Sequence, residues 1–265
     1  MKFALVDGNK AEASKGAKGI CPSCGSDLIA KCGPIKVNHW AHKGNRKCDP
    51  WWENETEWHR LWKNNFPDGW QEIVLHDEQS VEKHIADIQS SHGYVIEFQH
   101  SYINPQERTS RENFYVDMVW VVDGTRLKRD YPRFLKGQED LSKTNKQGYY
   151  TVLFPNECFP SVWLGSSVPV IFDFKGTESI QDLNDKRNHL YCLLPQAKYA
   201  KAILMVFSRE SFIKSFINGE IFKKQEEPQM QIMKSATQNN SSVRRREPTH
   251  YYDPRKGRFV RRSRL

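Results

Sequence analysis

The chain has no apolar run approaching the roughly 18 residues that a membrane-spanning helix requires, and this excludes a helical span. It does not open with a charged and then apolar signal segment, so a secreted disulfide framework is not expected. Internal repeats are missing too, which sets aside solenoids and propellers. Cysteine is sparse and uneven: of six, four lie within the first 48 residues. In a reducing cytoplasm, the expected location, such a cluster points to metal binding rather than cross-linking.

What is present is a basic excess that sits at one end. Lys and Arg number 40 against 32 Asp and Glu, yet residues 225–265 alone hold ten basic and four acidic side chains, +6 of the net +8. The body is therefore close to neutral. In the tail, Arg244, Arg245, Arg246, Arg255, Lys256, Arg258, Arg261, Arg262 and Arg264 alternate with Tyr251, Tyr252 and Phe259. This composition suits phosphate neutralisation and base stacking. It is equally that of a solvated, disordered terminus, and the two readings are compatible. Nucleic acid, DNA foremost, is the expected partner, with no membrane contact.

At 265 residues there is room for one substantial core and a small satellite module. The expected division is a zinc-binding module over 1–50, a catalytic-sized domain over 51–224 with an extension from about 125, and the basic tail over 225–265. Residues 1–50 carry too few apolar side chains for a core of their own, so something must staple them.

From about Glu53 to Phe66, Trp58, Leu61, Trp62 and Phe66 recur at helical spacing, and Pro67-Asp68-Gly69 stops the helix. Strand-like runs follow at Trp70–Leu75, Val81–Ile88, Tyr94–Gln99 and Met118–Val122, with a helical segment over Pro105–Tyr115. Further strands are expected at Tyr150–Leu153, Val168–Phe174 and Ala202–Phe207, the last followed by a helix over Glu210–Phe216. Alternation of this kind predicts an α/β core.

The staple is a Cys/His cluster. Cys21-Pro-Ser-Cys24-Gly25 is a knuckle whose two thiolates aim at one ion, Gly25 permitting the tight turn. Cys32, His39, His42 and Cys48 follow within 24 residues, so a tetrahedral zinc site is expected. Spacing does not decide which two complete it; His42 and Cys48 are favoured, with His39 the main alternative. Four protein ligands leave no open position, so this zinc is read as structural.

Ser91-His92-Gly93 joins Val81–Ser90 to Tyr94–Ser101 as a hairpin loop with glycine at the left-handed position. In that register Ser90 faces Tyr94 and Asp87 faces Glu97. Alternation puts Ile85, Asp87, Val95, Glu97 and Gln99 on one face for chemistry, and Ala86, Ile88, Tyr94, Ile96 and Phe98 on the other for the core. Opposed like charges destabilise a hairpin, so their presence suggests a compensating ion, and Mg2+ suits two carboxylates with positions left for water and phosphate. On the preceding helix, Glu55 falls inside the apolar stripe and His59 borders it, the placing of a shared polar site.

Together, Cys21-Pro-Ser-Cys24-Gly25, His39-Trp-Ala-His42, Glu55-Thr-Glu-Trp-His59 with Lys63, Ala86-Asp87-Ile88 and Ile96-Glu97-Phe98-Gln99-His100-Ser101 resemble the competence protein CoiA-like nuclease family. The resemblance covers roughly residues 1–125 and nothing familiar follows. It implies a restriction-endonuclease-like fold of the PD-(D/E)xK superfamily, a mixed β-sheet core flanked by helices behind the zinc module. It implies Asp87 and Glu97 as metal-binding carboxylates, Gln99 at the usual lysine position, Glu55 as the helix acid beside the metal, and His59 as the histidine one turn on. Gln99 brings no fixed positive charge where an ammonium is common. The expectation is a DNA nuclease in which Asp87, Glu97 and the Phe98 carbonyl hold Mg2+ or Mn2+, and Gln99 orients the attacking water. Lys63, Arg111 and Tyr115 are candidate phosphate contacts. The rival is a non-catalytic nucleic-acid-binding protein that relies on the zinc module and tail.

Overall fold

The structure, a computed structural model, describes residues 1–44, 48–51, 53–77, 82–195 and 201–220, with the backbone of two strands at 250–253 and 258–261. Apart from those strands, the basic tail lies outside the described residues. Among the described residues no helix is long and apolar enough to cross a membrane.

The front of the chain does have a core. Strands β1 (Phe3–Val6), β2 (Asn9–Glu12), β3 (Lys18–Ile20), β4 (Asp27–Lys31) and β5 (His39–His42) form an antiparallel sheet in the order β2-β1-β3-β4-β5. Met1, Ala4, Leu28 and Trp40 are buried within it, and the Trp40 indole donates to Ala11 O at 2.9 Å. The expectation that residues 1–50 lack a core is corrected here. One large indole and short, tightly turned strands bury more than a count of apolar residues suggests.

The second sheet is mixed, with nine strands among the described residues. These are β6 (Gln71–His76), β7 (Lys83–Gln89), β8 (Val95–Gln99), β9 (Met118–Asp123), β10 (Leu141–Lys143), β11 (Tyr149–Val152), β12 (Val170–Asp173), β13 (His189–Leu193) and β14 (Ala202–Ser208). Their order is β10-β11-β14-β13-β12-β9-β8-β7-β6. Only β8–β9 and β9–β12 are parallel. The chain beyond 125 thus continues the same sheet.

Helices cover both faces. On one, α1 (Glu57–Lys63) and α6 (Arg209–Ile217) place Trp58, Trp62, Phe212 and Phe216 over Ile88, Ile96, Phe98 and Ile171. On the other, Tyr115 of α2 (Pro105–Tyr115), Phe134 of α3 (Asp130–Gly137), Cys158 of α4 (Pro155–Cys158) and Trp163 of α5 (Ser161–Leu164) cover Val95, Trp120, Val170 and Phe172. The division of the β7–β8 hairpin into a core face and a chemical face is therefore corrected. Every residue of β8 is buried, because a sheet with helices on both sides buries both faces.

Helix α1 begins later than expected. Thr56 is its N-cap, accepting from His59 N while His59 Nδ1 accepts from Thr56 N at 3.3 Å, a capping box with histidine in the usual Glu or Gln place. Glu55 thus lies before the helix, and its assignment to the apolar stripe is corrected. The buried carboxylate of Asp173, at the end of β12, accepts from the indoles of Trp58 at 2.9 Å and Trp62 at 3.0 Å, pinning α1 to the sheet.

In the second unit, Lys224–Leu265, β15 (His250–Asp253) pairs antiparallel with β16 (Arg258–Arg261).

Candidate metal centre and carboxylate site

Cys21 Sγ, Cys24 Sγ, a His42 ring nitrogen and Cys48 Sγ all lie within 4.8 Å of one another. The Cys21 and Cys48 sulfurs are 3.7 Å apart, and Cys24 Sγ is 3.3 Å from His42 Nε2. Three soft thiolates and one imidazole are a zinc donor set, and this cluster can hold that ion. Burial pushes the Cys21 thiol up to about 12. Hydrogen bonds from Ser26 and His42 bring Cys24 down to about 6 against the effect of burial, toward the thiolate that binds metal. His39 turns away, its Nδ1 against Val37 O at 2.9 Å, and Cys32 Sγ donates to Ala13 O. Strand geometry explains the choice: residues three apart on β5 point to opposite faces, and His42, paired with the buried Leu28, takes the inner one.

The acidic residues meet at the hairpin. Ile88↔Ile96 and Gln89↔Val95 fix the register that brings Asp87 opposite Glu97, and Gly93 takes the left-handed turn position at φ +83°. Beyond Ile88 the carboxylates replace the backbone ladder. Asp87 N donates to Glu97 Oε1 at 3.2 Å, and Phe98 N donates to Asp87 Oδ2 at 3.0 Å. On the other side of β7, Gln71↔Ile88 and Ile73↔Ala86 bracket Glu72 and Asp87. Glu72 holds a left-handed backbone at φ +49°, uncommon for a residue with a side chain. Its carboxylate fastens it there, accepting from Lys2 N at 2.6 Å, Phe3 N at 2.9 Å and Lys63 Nζ at 3.2 Å.

Lys63 is the centre of this acidic row. Its buried ammonium lies 2.9 Å from Asp87 Oδ1, 3.2 Å from Glu55 Oε2 and 3.2 Å from Glu72 Oε1. Burial would lower its pKa, yet those carboxylates hold it well above the usual lysine range. Burial would likewise raise Glu55 and Glu72, and Lys63 holds both below the usual carboxylate range. Glu97 differs. Burial, reinforced by the charge of Asp87, pushes it up to about 8 against the opposing pull of Arg111. At Glu97, burial and the neighbouring Asp87 charge together outweigh Arg111.

Several expected roles change. Arg111 is buried, with Nη1 3.1 Å from Glu97 Oε2 and Nη2 on Glu107 and the Trp51 carbonyl, so it is no free phosphate contact. Tyr115 is buried and lines the same cavity as Asp87 and Glu97. Lys63 is committed to carboxylates. His59 is engaged at both nitrogens: Nδ1 accepts from Thr56 N, so Nε2 carries the proton and donates to Phe98 O at 3.3 Å. Glu55 pairs with Lys63 and with Arg60 at 3.4 Å. Gln99 lies outside the cavity that holds Asp87, Glu97, Glu55, His59 and Lys63, and lines a neighbouring one with His100 and Asp123. Its Nε2 donates to Glu53 Oε2 at 3.0 Å, and its buried Oε1 has no hydrogen-bond partner among the described residues.

Sequence reasoning missed Asp49, Trp51, Glu53 and Glu72, which line the cavity with the others. Three of them, Asp49, Trp51 and Glu53, fall in the short stretch just before Glu55, which the sequence had already singled out.

Fold and site together define a mixed α/β protein that carries a Cys3His cluster able to bind zinc and, behind it, a buried carboxylate cavity. Residues 6–50 match the family model described as competence protein CoiA, N-terminal domain. That match spans most of the front sheet and all four cluster residues, and ends before Glu53. No curated protein and no solved structure matches the chain.

Proposed function

We propose that the protein is a metal-dependent nuclease that hydrolyses phosphodiester bonds in DNA, on a core of the restriction-endonuclease-like, PD-(D/E)xK kind. One observation carries this reading: Asp87 and Glu97, opposed across the hairpin, share one cavity with Phe98, Glu55 and Glu72. Hard oxygen donors so placed suit a divalent cation. Asp87, Glu97 and the carbonyl oxygen of Phe98 are the groups that would hold Mg2+ or Mn2+, which when bound supplies a Lewis acid and a more acidic water.

The remaining work falls to the chain's own side chains. Lys63 brings to Asp87 the fixed positive charge that Gln99 lacks, holding that carboxylate in place rather than contacting the phosphate itself. Glu55 and Glu72 keep that ammonium protonated and aimed. His59 orients the Phe98 carbonyl, and Arg111 holds one Glu97 oxygen. The Cys3His cluster, with four protein ligands, is a structural zinc site in this reading. The match over residues 6–50 supports a competence-related protein, and the activity proposed would serve DNA processing, recombination or defence.

The test is cleavage of supercoiled plasmid, linear duplex and single-stranded DNA in Mg2+ or Mn2+. Asp87→Ala and Glu97→Ala are each expected to lower the rate by about a hundredfold or more, as loss of one electrostatic stabiliser does. Equal cleavage by all three proteins, or none by the wild type in either metal, overturns the reading.

A further inference from the structure

The segment from Cys48 to Glu55 links the two sites. Residues 48–51 and 53–55 form neither helix nor strand, so their position depends on side-chain anchors and on the two ends. One end is Cys48, in the Cys3His cluster. The other is Thr56, the cap of α1. Between them Asp49, Trp51, Glu53 and Glu55 all line the carboxylate cavity.

Each of these residues grips a different element of the site. Asp49, one residue from the cluster, accepts from Ile85 N at 2.8 Å and bonds His84 Nδ1 at 2.9 Å, on the strand that carries Asp87 two positions later. The Trp51 ring stacks on His84 at 3.3 Å, and its carbonyl accepts from Arg111, whose other nitrogen holds Glu97 at 3.1 Å. Glu53 accepts from Gln99 Nε2 at 3.0 Å, from His100 N at 3.1 Å and from Ser101 N, closing the end of the strand that carries Glu97. Glu55 reaches Lys63 at 3.2 Å. The described residues of this strap, 48–51 and 53–55, thus touch β7, α2, β8 and α1 in turn.

We propose that the Cys3His cluster is the clasp of the active site: by fixing Cys48 it seats this strap, and through it Asp49 and Glu53 act as positioning residues for the Asp87–Glu97 pair. The physical reason is that an irregular segment holds its place only while both ends are tied. Releasing Cys48 lengthens the free loop and returns conformational entropy that the side-chain anchors must then oppose alone. Binding of zinc at the cluster and of a divalent cation at the carboxylates is then linked, each favouring the other. The cation arm of this inference rests on the proposed nuclease reading, whereas the clasp itself does not.

The experiment uses the full chain, purified with zinc and assayed by elemental analysis, then stripped by a chelator, alongside Asp49→Asn and Glu53→Gln. Hydrogen–deuterium exchange reads the clasp, and calorimetric titration with Mn2+, with Asp87→Ala as the blank, reads the carboxylates. Zinc loss is expected to raise exchange at Ile85, His100 and Ser101 while β11 to β14 stay protected, and to weaken Mn2+ binding about tenfold or more, as loss of outer positioning groups does at metal sites. Asp49→Asn should keep its zinc and show the same local exchange, so it decides the matter if stripping unfolds the chain. Unchanged protection at those amides, in stripped protein or in Asp49→Asn, overturns the clasp, as does a chain that takes up no zinc. Local exchange that responds to zinc in a chain that binds no Mn2+ keeps the clasp and rejects the nuclease reading.

Discussion

At the scale of single residues, Lys63 explains more than any other side chain. Its buried ammonium satisfies Asp87, Glu55 and Glu72 at once. Removing one member of a buried ionic group leaves the others uncompensated. Lys63→Met is therefore expected to cost about 3–5 kcal/mol in metal-free buffer. Part of that loss should return on adding Mg2+ or Mn2+, because a cation bound only by the folded state stabilises it. Thermal unfolding with and without metal checks both points; a variant as stable as the wild type without metal would mean that the three carboxylates need no cation. The sequence offered Lys63 as a companion of Glu55 and His59 and as a candidate phosphate contact, but gave no sign that it would be buried among three carboxylates. Gln99 pointed to a missing charge, but nothing in the spacing indicated that a helix, rather than the strand itself, would supply it.

At the scale of elements, what the sequence revealed was periodic and what it concealed was irregular. The hairpin register followed from a three-residue loop ending in Gly93, and the helical segment expected over Pro105–Tyr115 is α2, which the structure caps with Asn104, accepting from Glu107 N at 2.8 Å. The strap from Cys48 to Glu55 has no period a helix window can detect, so Glu55 was assigned to the helix and Asp49 and Glu53 were passed over. The choice of His42 over His39 was open because it depends on reading His39–His42 as a strand. The parallel pair β8–β9 ends in another contact that pattern alone could not find. His100 Nδ1 lies 2.7 Å from the buried Asp123 carboxylate, across the carboxyl ends of the two strands. That hydrogen bond raises the His100 pKa. Because the folded value lies above the unfolded one, the contribution is fully present below about 6.5, the ordinary histidine value, and is lost as pH rises through the raised folded value. Asp123→Asn is expected to bring the His100 pKa back toward the ordinary value in an NMR titration of its ring protons. An unchanged titration would show that Asp123 does not govern it.

At the scale of the whole molecule, a front sheet with a Cys3His cluster is fastened to a large mixed sheet by a few polar bonds that double as site contacts. Glu72 accepts the first backbone amides of the front sheet while it holds Lys63. Asp49 ties the cluster's last ligand to β7. The α/β class was readable from alternating elements, and β11, β12 and β14 extend the sheet where the strand-like runs beyond 125 were expected. The helices α3 to α5 and strands β10 and β13 were not anticipated, since pieces of three to eight residues are too short to show a period. The match over residues 6–50 reaches the cluster but not the carboxylates, so the chemistry of the cavity rests on its geometry. The most direct measurement of that chemistry is anomalous diffraction from crystals soaked in Mn2+. A manganese peak between Asp87 and Glu97 beside the Phe98 carbonyl, separate from a zinc-edge peak among Cys21, Cys24, His42 and Cys48, is the result predicted. A zinc peak with no manganese at the carboxylates would contradict it.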